Sequence, residues 1–185
     1  MVGPRAFVTR QIFPEALELI GQAAQLEVWP DESPPTPQEL AGKLLNVDGV
    51  LTNIMDRVDA PLLDRAPQLK VISQLAVGLD NIDVAAASRR GILVGYTPNV
   101  LAKATADVGF ALLMSAARRI SESDRWVRAG GWKMAFHPMF WLGSEVHGAT
   151  IGIIGLGQIG LEIAKRALGF DMKVIYYSRT RKPEL

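Results

Sequence analysis

The stretch that most constrains this chain runs from Ala149 to Thr180. Its apolar run Thr150–Ile154 has the length of a buried parallel strand. Gly155-Leu-Gly157-Gln-Ile-Gly160 follows and leads into a helical stretch with apolar positions at Ile159, Ile163, Ala164 and Ala167. A second apolar run, Lys173–Tyr177, completes a strand-helix-strand unit. The glycines have separable jobs. Gly155 permits the tight turn off the strand, Gly157 lets a pyrophosphate approach the backbone, and Gly160 lets the helix press on the strand. The loop Gly155, Leu156, Gly157, Gln158, Ile159, Gly160 then offers free amides and a positive helix end to phosphates. A dinucleotide site is the reading.

The end of the second strand refines the cofactor. Sites that take NAD place an acidic residue about 20 residues past the fingerprint to hold the ribose hydroxyls. Here that position carries Ser178, followed by Arg179, Thr180, Arg181 and Lys182. No carboxylate stands there to repel a 2′-phosphate, and cations with hydroxyls stand there to receive one. The expectation is NADP(H), with NAD(H) as the other cofactor the loop could take.

Upstream, short apolar runs at Ala6–Thr9, Leu26–Trp29, Gly49–Thr52, Leu69–Ser73 and Ile92–Val94 alternate with helical segments. That alternation predicts a doubly wound parallel sheet in the first hundred residues. The helical segments are 14–24, 38–45, 60–65 and 82–90, with Pro61 in a first turn, where a missing N–H costs little. Thr97-Pro98-Asn99 breaks the pattern. A long helix follows from Val100 to about Arg119, with Leu101, Ala104, Val108, Ala111, Leu112 and Ala116 as its expected inward positions. A second helix ends at Gly130-Gly131. The segment 132–142 carries Trp132, Phe136, Phe140 and Trp141, and suggests contact with another surface or a cluster over the core.

Several classes are excluded on composition. A net charge of +1 over 185 residues argues against a nucleic acid held by bulk electrostatics. Zero cysteines remove disulfides, thiolate metal sites and a cysteine nucleophile. No metal ligand set is expected. The longest apolar run, Phe110–Met114, is far too short to span a bilayer, and no signal peptide is visible. A cytoplasmic protein is the default expectation. One strand-helix-strand unit supplies two of the about six strands of a full dinucleotide fold, so the chain reads as the front portion of a longer protein.

These residues resemble the D-isomer-specific 2-hydroxyacid dehydrogenase family, and within it the glyoxylate/hydroxypyruvate reductases. The matching segments are Phe7-Val-Thr-Arg10, Leu69–Ser73 with Ala76–Asp83, Arg90–Val94 with Tyr96–Leu101 and Thr105-Ala-Asp107, and Gly152–Gly160 with Tyr177–Thr180. The resemblance implies a flavodoxin-like substrate domain over 1–99 and the start of a Rossmann NAD(P)-binding domain over 100–185. The last helix of the full family chain returns to the substrate domain. It also implies hydride transfer to a small 2-oxo acid, a dimer, a substrate carboxylate on the Val77 and Gly78 amides, and a cofactor contact at Thr105. Read from the residues alone, Gly78 is a plain turn glycine, Thr105 could equally be a helix-start residue, and Asp80 and Asp83 are expected caps.

The family's catalytic Arg, His and tuning acid fall beyond residue 185, so no catalytic residue is expected in this chain. His137 and His147 lie outside the family motif and have no Asp near them in sequence. Turnover by the 185-residue chain alone is therefore not expected. The competing readings are a non-catalytic dinucleotide-sensing module, since relatives of the family include nucleotide-binding corepressors, and an assembly unit that pairs through an open sheet edge.

Overall fold

The computed structural model describes residues 3–182. The outermost residues of both expected domains, 1–2 and 183–185, lie outside the described part. The chain divides into two compact units, Met1–Pro98 and Asn99–Leu185.

In the first unit, β1 (Arg5–Val8), β2 (Gln25–Val28), β3 (Gly49–Thr52), β4 (Val71–Gln74) and β5 (Leu93–Tyr96) form one parallel sheet. The strand order is β2-β1-β3-β4-β5, the flavodoxin-like doubly wound order. The connecting helices are α1 (Pro14–Ala23), α2 (Pro37–Leu44), α3 (Ala60–Asp64) and α4 (Val84–Arg89). Each of the last three starts on a side-chain cap. Thr36 and Glu39 form a capping box on α2. Asp59 accepts from the Leu62 amide at 3.2 Å on α3, and Asp83 from the Ala86 amide at 2.8 Å on α4. Asp83 is thus a cap as expected. Asp80 is not: it lies in the exposed turn before Ile82, three residues ahead of the Asp83 cap.

The core of this unit gathers Phe7, Val50 and Ile72 from the strands with Leu40, Leu44, Leu63 and Ala86 from α2, α3 and α4. Helix α1 buries no residue completely. The sheet is accordingly dry on one side, while Val71 and Leu93 remain 40% and 72% exposed.

The second unit contains α5 (Ala102–Ala117), α6 (Ile120–Arg128), β6 (Thr150–Ile154), α7 (Gln158–Leu168) and β7 (Lys173–Tyr177). β6 and β7 pair in parallel, with Thr150 opposite Lys173 and Ile154 opposite Tyr177. Helix α5 lies on α7: a Cβ on Gly109 would meet Ile163 Cδ1 at 3.3 Å, and Phe110 packs on Phe170 with ring centroids 5.0 Å apart.

That packing corrects the expected inward face of α5. Ala106 and Phe110 are buried, with Leu113, Met114 and Ala117 packed around them. Leu101, Ala104, Val108, Ala111, Leu112 and Ala116 face outward, with Val108 60% and Leu112 65% exposed. The helix is apolar nearly all round, so periodicity alone carries no phase. The close approach allowed by Gly109 and the bulk of Phe110 choose the face instead. Ile159, also expected inward, is 37% exposed at the start of α7.

Among the described residues no helix is long and apolar enough to cross a membrane.

Candidate functional site

Two loops, one in each unit, present backbone donors.

In the second unit, Gly155 leaves β6 at φ +93°, a conformation that L side chains rarely adopt. Its amide donates to the Tyr177 carbonyl at 2.8 Å, which fixes the loop to the end of β7. Gly157 is the N-cap of α7 and has no side-chain capping bond, so the first-turn amides at Gln158 and Ile159 lack intrahelical acceptors. A Cβ on Gly157 would meet nothing within 4 Å. A Cβ on Gly160 would fall well inside the van der Waals shell of the Gly155 carbonyl oxygen, and 3.2 Å from Ile153 Cγ2. Turn, open approach and tight helix-strand contact thus fall on the three glycines as the sequence spacing requires.

A cleft of about 570 Å³ runs from Gly155, Leu156 and Gly157 to Ser178, Arg179, Thr180 and Lys182. The glycine loop and the cationic end of β7 therefore line one space. Tyr176 holds the far wall: its hydroxyl accepts from the Lys182 amide at 3.1 Å and donates to the Lys182 carbonyl at 3.3 Å. Sequence reasoning gave Tyr176 no role, because an apolar strand residue gives no sign that its hydroxyl will close a turn six residues on. Gly155, Leu156, Gly157, Ser178, Arg179 and Thr180 are brought together here, with Gln158, Ile159 and Gly160 in the adjoining first turn of α7. Thr105 is not in the lining; it sits exposed early in α5, its amide donating to the Leu101 carbonyl at 2.9 Å.

In the first unit, the loop after β4 carries Val77 and Gly78. Among the described residues, neither amide finds an acceptor, while the neighbouring Ala76 carbonyl is held by the Thr97 amide and hydroxyl, both at 3.0 Å. Val77 is half-buried and Gly78 exposed. Two adjacent free N–H groups at the carboxyl end of a parallel strand can take a small anion.

The histidines do not join either loop. His137 sits edge-on to Phe140, with centroids 5.8 Å apart. His147 Nδ1 lies 3.5 Å from Asp171 Oδ2, a pairing that sequence distance concealed, but their side chains are 69% and 78% exposed. The aromatic segment folds on itself and on α6: Trp126 meets Phe140 and Trp141 at 5.2 and 5.3 Å between centroids. Arg119 stacks over Trp141 at 4.4 Å. Trp132 and Phe136 stay 59% and 77% exposed.

The family model for the D-isomer specific 2-hydroxyacid dehydrogenase catalytic domain matches residues 6–179. The chain belongs to this family. A glyoxylate reductase of Thermococcus litoralis is 50% identical over 184 residues, covering 98% of this chain and 56% of that protein. A protein of Thermus thermophilus superposes with a TM-score of 0.86 at 43% identity, covering 97% of this chain and 57% of that one. An NADPH-dependent glyoxylate/hydroxypyruvate reductase of Sinorhizobium meliloti, solved with NADP and malonate, gives a TM-score of 0.81 at 31% identity, with 98% and 55% covered. The chain thus spans little more than half the length of the relatives it matches. Dehydrogenases of this family use NAD(P), and its parallel α/β architecture is the one seen here.

Proposed function

We propose that this chain provides the dinucleotide cradle and the carboxylate loop of an NADP(H)-dependent reductase of small 2-oxo acids such as glyoxylate or hydroxypyruvate. The observation that carries the reading is the single cleft joining the glycine loop to Ser178, Arg179, Thr180 and Lys182, with no carboxylate among its described lining residues. The Gln158 and Ile159 amides and the helix end favour the pyrophosphate. Arg179 with the Ser178 and Thr180 hydroxyls favours a 2′-phosphate. The Thr105 hydroxyl is carried into the reading by family resemblance. A bound NADPH would supply the hydride. The Val77 and Gly78 amides would hold the substrate carboxylate and so orient the oxo carbon.

Hydride addition creates an alkoxide that needs a proton donor. Neither histidine lines the cleft, and the family resemblance puts the catalytic Arg, His and acid beyond residue 185. Binding without turnover is the expectation for the 185 residues alone.

The test is parallel calorimetric titration with NADPH and NADH, followed at 340 nm for turnover of added glyoxylate. NADPH is expected to bind roughly tenfold or more tighter, the scale of one charge-assisted contact. Arg179→Ala would remove most of that preference. Equal affinity for the two cofactors would sink the NADP assignment, and no binding of either would sink the cradle.

The same reading includes a homodimer. Its support is the outward apolar row of Val108 and Leu112 on α5 and the exposed rings of Trp132 and Phe136. Sedimentation velocity tests it; a monomer at high concentration counts against it. The aromatic segment also favours a second reading, a non-catalytic dinucleotide-responsive module, which predicts NADPH-dependent assembly without oxo-acid binding.

A further inference from the structure

In a sheet of order β2-β1-β3-β4-β5 the winding reverses between β1 and β3, where a crevice at the strand ends ordinarily receives the ligand. Here the chain fills that place with its own anion. Asp56, 3% exposed, accepts the hydroxyl of the fully buried Thr9 at 2.5 Å and the Asn53 amide at 2.9 Å. Arg10 stands 3.7 Å from its second oxygen. A ligand carboxylate would meet a resident carboxylate at the switch point. Free donors stand at Val77 and Gly78, after β4.

A line of side-chain amides links the filled crevice to that loop. The Asn81 Nδ2 group donates to the Asn53 carbonyl at 3.0 Å and to the Asp56 carbonyl at 2.6 Å. Two carbonyls on one side fix the amide orientation, so Oδ1 must face Gln74. Gln74, 1% exposed, therefore turns Nε2 to Asn81 Oδ1 at 2.8 Å and Oε1 to the Thr52 hydroxyl at 2.7 Å. The bond between Gln74 and Asn81 closes the 75–80 loop at its two ends. With the Ala76 carbonyl also tied to Thr97, the loop has few ways to turn the Val77 and Gly78 amides inward.

We propose that Gln74 and Asn81 are positioning residues for an anion site: their amide pair, anchored on Asp56 and Thr52, locks the 75–80 loop with the Val77 and Gly78 N–H groups directed at a small carboxylate. This rests on the reading that those amides hold the substrate carboxylate. A side chain at 74 or 81 never touches the ligand; its effect passes through loop geometry, where a small displacement weakens both donor bonds together.

The experiment uses the ¹⁵N-labelled 185-residue chain, with oxamate as the non-reducible 2-oxo acid probe. Two isosteric variants are compared with it. Gln74→Met removes the amide, and Asn81→Asp, at a half-buried position, replaces the Nδ2 donor with a charged carboxylate oxygen facing the Asn53 and Asp56 carbonyls, so its effect on positioning is read from loop order. Backbone relaxation of residues 76–80 reads loop order, and oxamate-induced shifts at Val77 and Gly78 read binding. The proposal expects lowered order in the loop but not in β3, with oxamate affinity down by roughly tenfold, the scale of a hydrogen bond to a charged group. If Gln74→Met fails to fold, Asn81→Asp decides alone, and adding Thr97→Val to it should loosen the loop further. Unchanged loop order with unchanged oxamate affinity in a folded variant overturns the proposal. If oxamate leaves Val77 and Gly78 unmoved in the unaltered chain, the carboxylate reading fails, and loop order still decides the positioning role.

Discussion

The loops at 155–160 and 75–81 both present bare amides at the carboxyl end of a parallel strand, yet they are built in opposite ways. The first is built by subtraction. Removing side chains at Gly155, Gly157 and Gly160 permits the turn, opens the approach and lets α7 close on β6, all within six residues. The second is built by addition. Thr9, Thr52, Asn53, Asp56, Gln74, Asn81 and Thr97 supply hydrogen bonds spanning up to 47 residues of sequence to hold one loop still. A loop made by subtraction has few parts, and each is indispensable. A loop made by a network spreads its stability over many bonds.

Gly160→Ala should give the largest effect. The new methyl meets backbone, which cannot step aside as a flexible side chain can. Overpacking of this kind costs about 1–3 kcal/mol, and the shift of α7 should abolish measurable NADPH binding. Gly157→Ala is the matched control: with open space around its Cβ, stability should hold within about 0.5 kcal/mol while NADPH affinity falls. Thermal melts and titrations of the pair check this. Equal melting points for the two variants would break the account of how this loop is built.

Thr52→Val probes the other design. It keeps the shape of a fully buried side chain and removes one donor, leaving Gln74 Oε1 unpaired. The expected loss is about 1–2 kcal/mol of stability in urea unfolding, with a smaller effect on NADPH binding than Gly160→Ala. A loss above about 3 kcal/mol, the upper end expected for Gly160→Ala, would mean the network is at least as brittle as the glycine loop, and the contrast would fall.

This difference in construction also explains what was legible in the sequence. The glycine loop is local, so spacing gave its strand, its helix, the turn at Gly155 and the tight contact at Gly160, and the run Ser178–Lys182 holds no carboxylate. The parallel sheet was equally legible, because apolar runs bounded by turns recur along the first hundred residues. The boundaries of β3, β6 and β7 agree with the apolar runs residue for residue. The Gln74–Asn81 pair was not legible: a Gln ending an apolar strand and an Asn in a turn look ordinary until folding places them 2.8 Å apart. The face of α5 was misread for a related reason. Its phase is set by Gly109 and Phe110 against α7, and a helix apolar all round carries no record of that contact. His147 and Asp171, 24 positions apart in number and adjacent in space, make the same point.

A smaller effect concerns charge beside the carboxylate loop. Asp80 Oδ2 lies 3.2 Å from where a Cβ on Gly78 would stand, so a negative group borders the proposed anion donors. Asp80→Asn should tighten oxamate two- to threefold or so, in keeping with a surface charge contact of about 0.5 kcal/mol, and 0.5 M salt should erase the gain. An affinity that falls instead would mean Asp80 holds the loop rather than merely repelling its ligand.

The smallest expected effect is shared by both units and separates their surfaces from their loops. The Thr36 hydrogen bond in the capping box holds Glu39 below the ordinary carboxylate range. Lys70 does the same for Asp48 in the first unit, and Arg119 for Glu122 in the second. A carboxylate whose folded value is lowered stabilises the fold above its unfolded value, and that contribution disappears as pH falls through the folded value. Both units should therefore soften gradually as pH drops through and below the ordinary carboxylate range, with no loss on raising pH above neutrality from these groups. Added salt should flatten the slope, because the partners lie near the surface. Amide exchange measured across that pH range would show the trend at α2 and α6 before the bonded amides at the bases of the two loops, Leu75 and Gly155, lose protection. If the 75–81 loop loosened first, its network would depend on a surface charge outside the Thr52–Gln74–Asn81 line, and rigidity by addition would have a weaker foundation than its buried bonds imply.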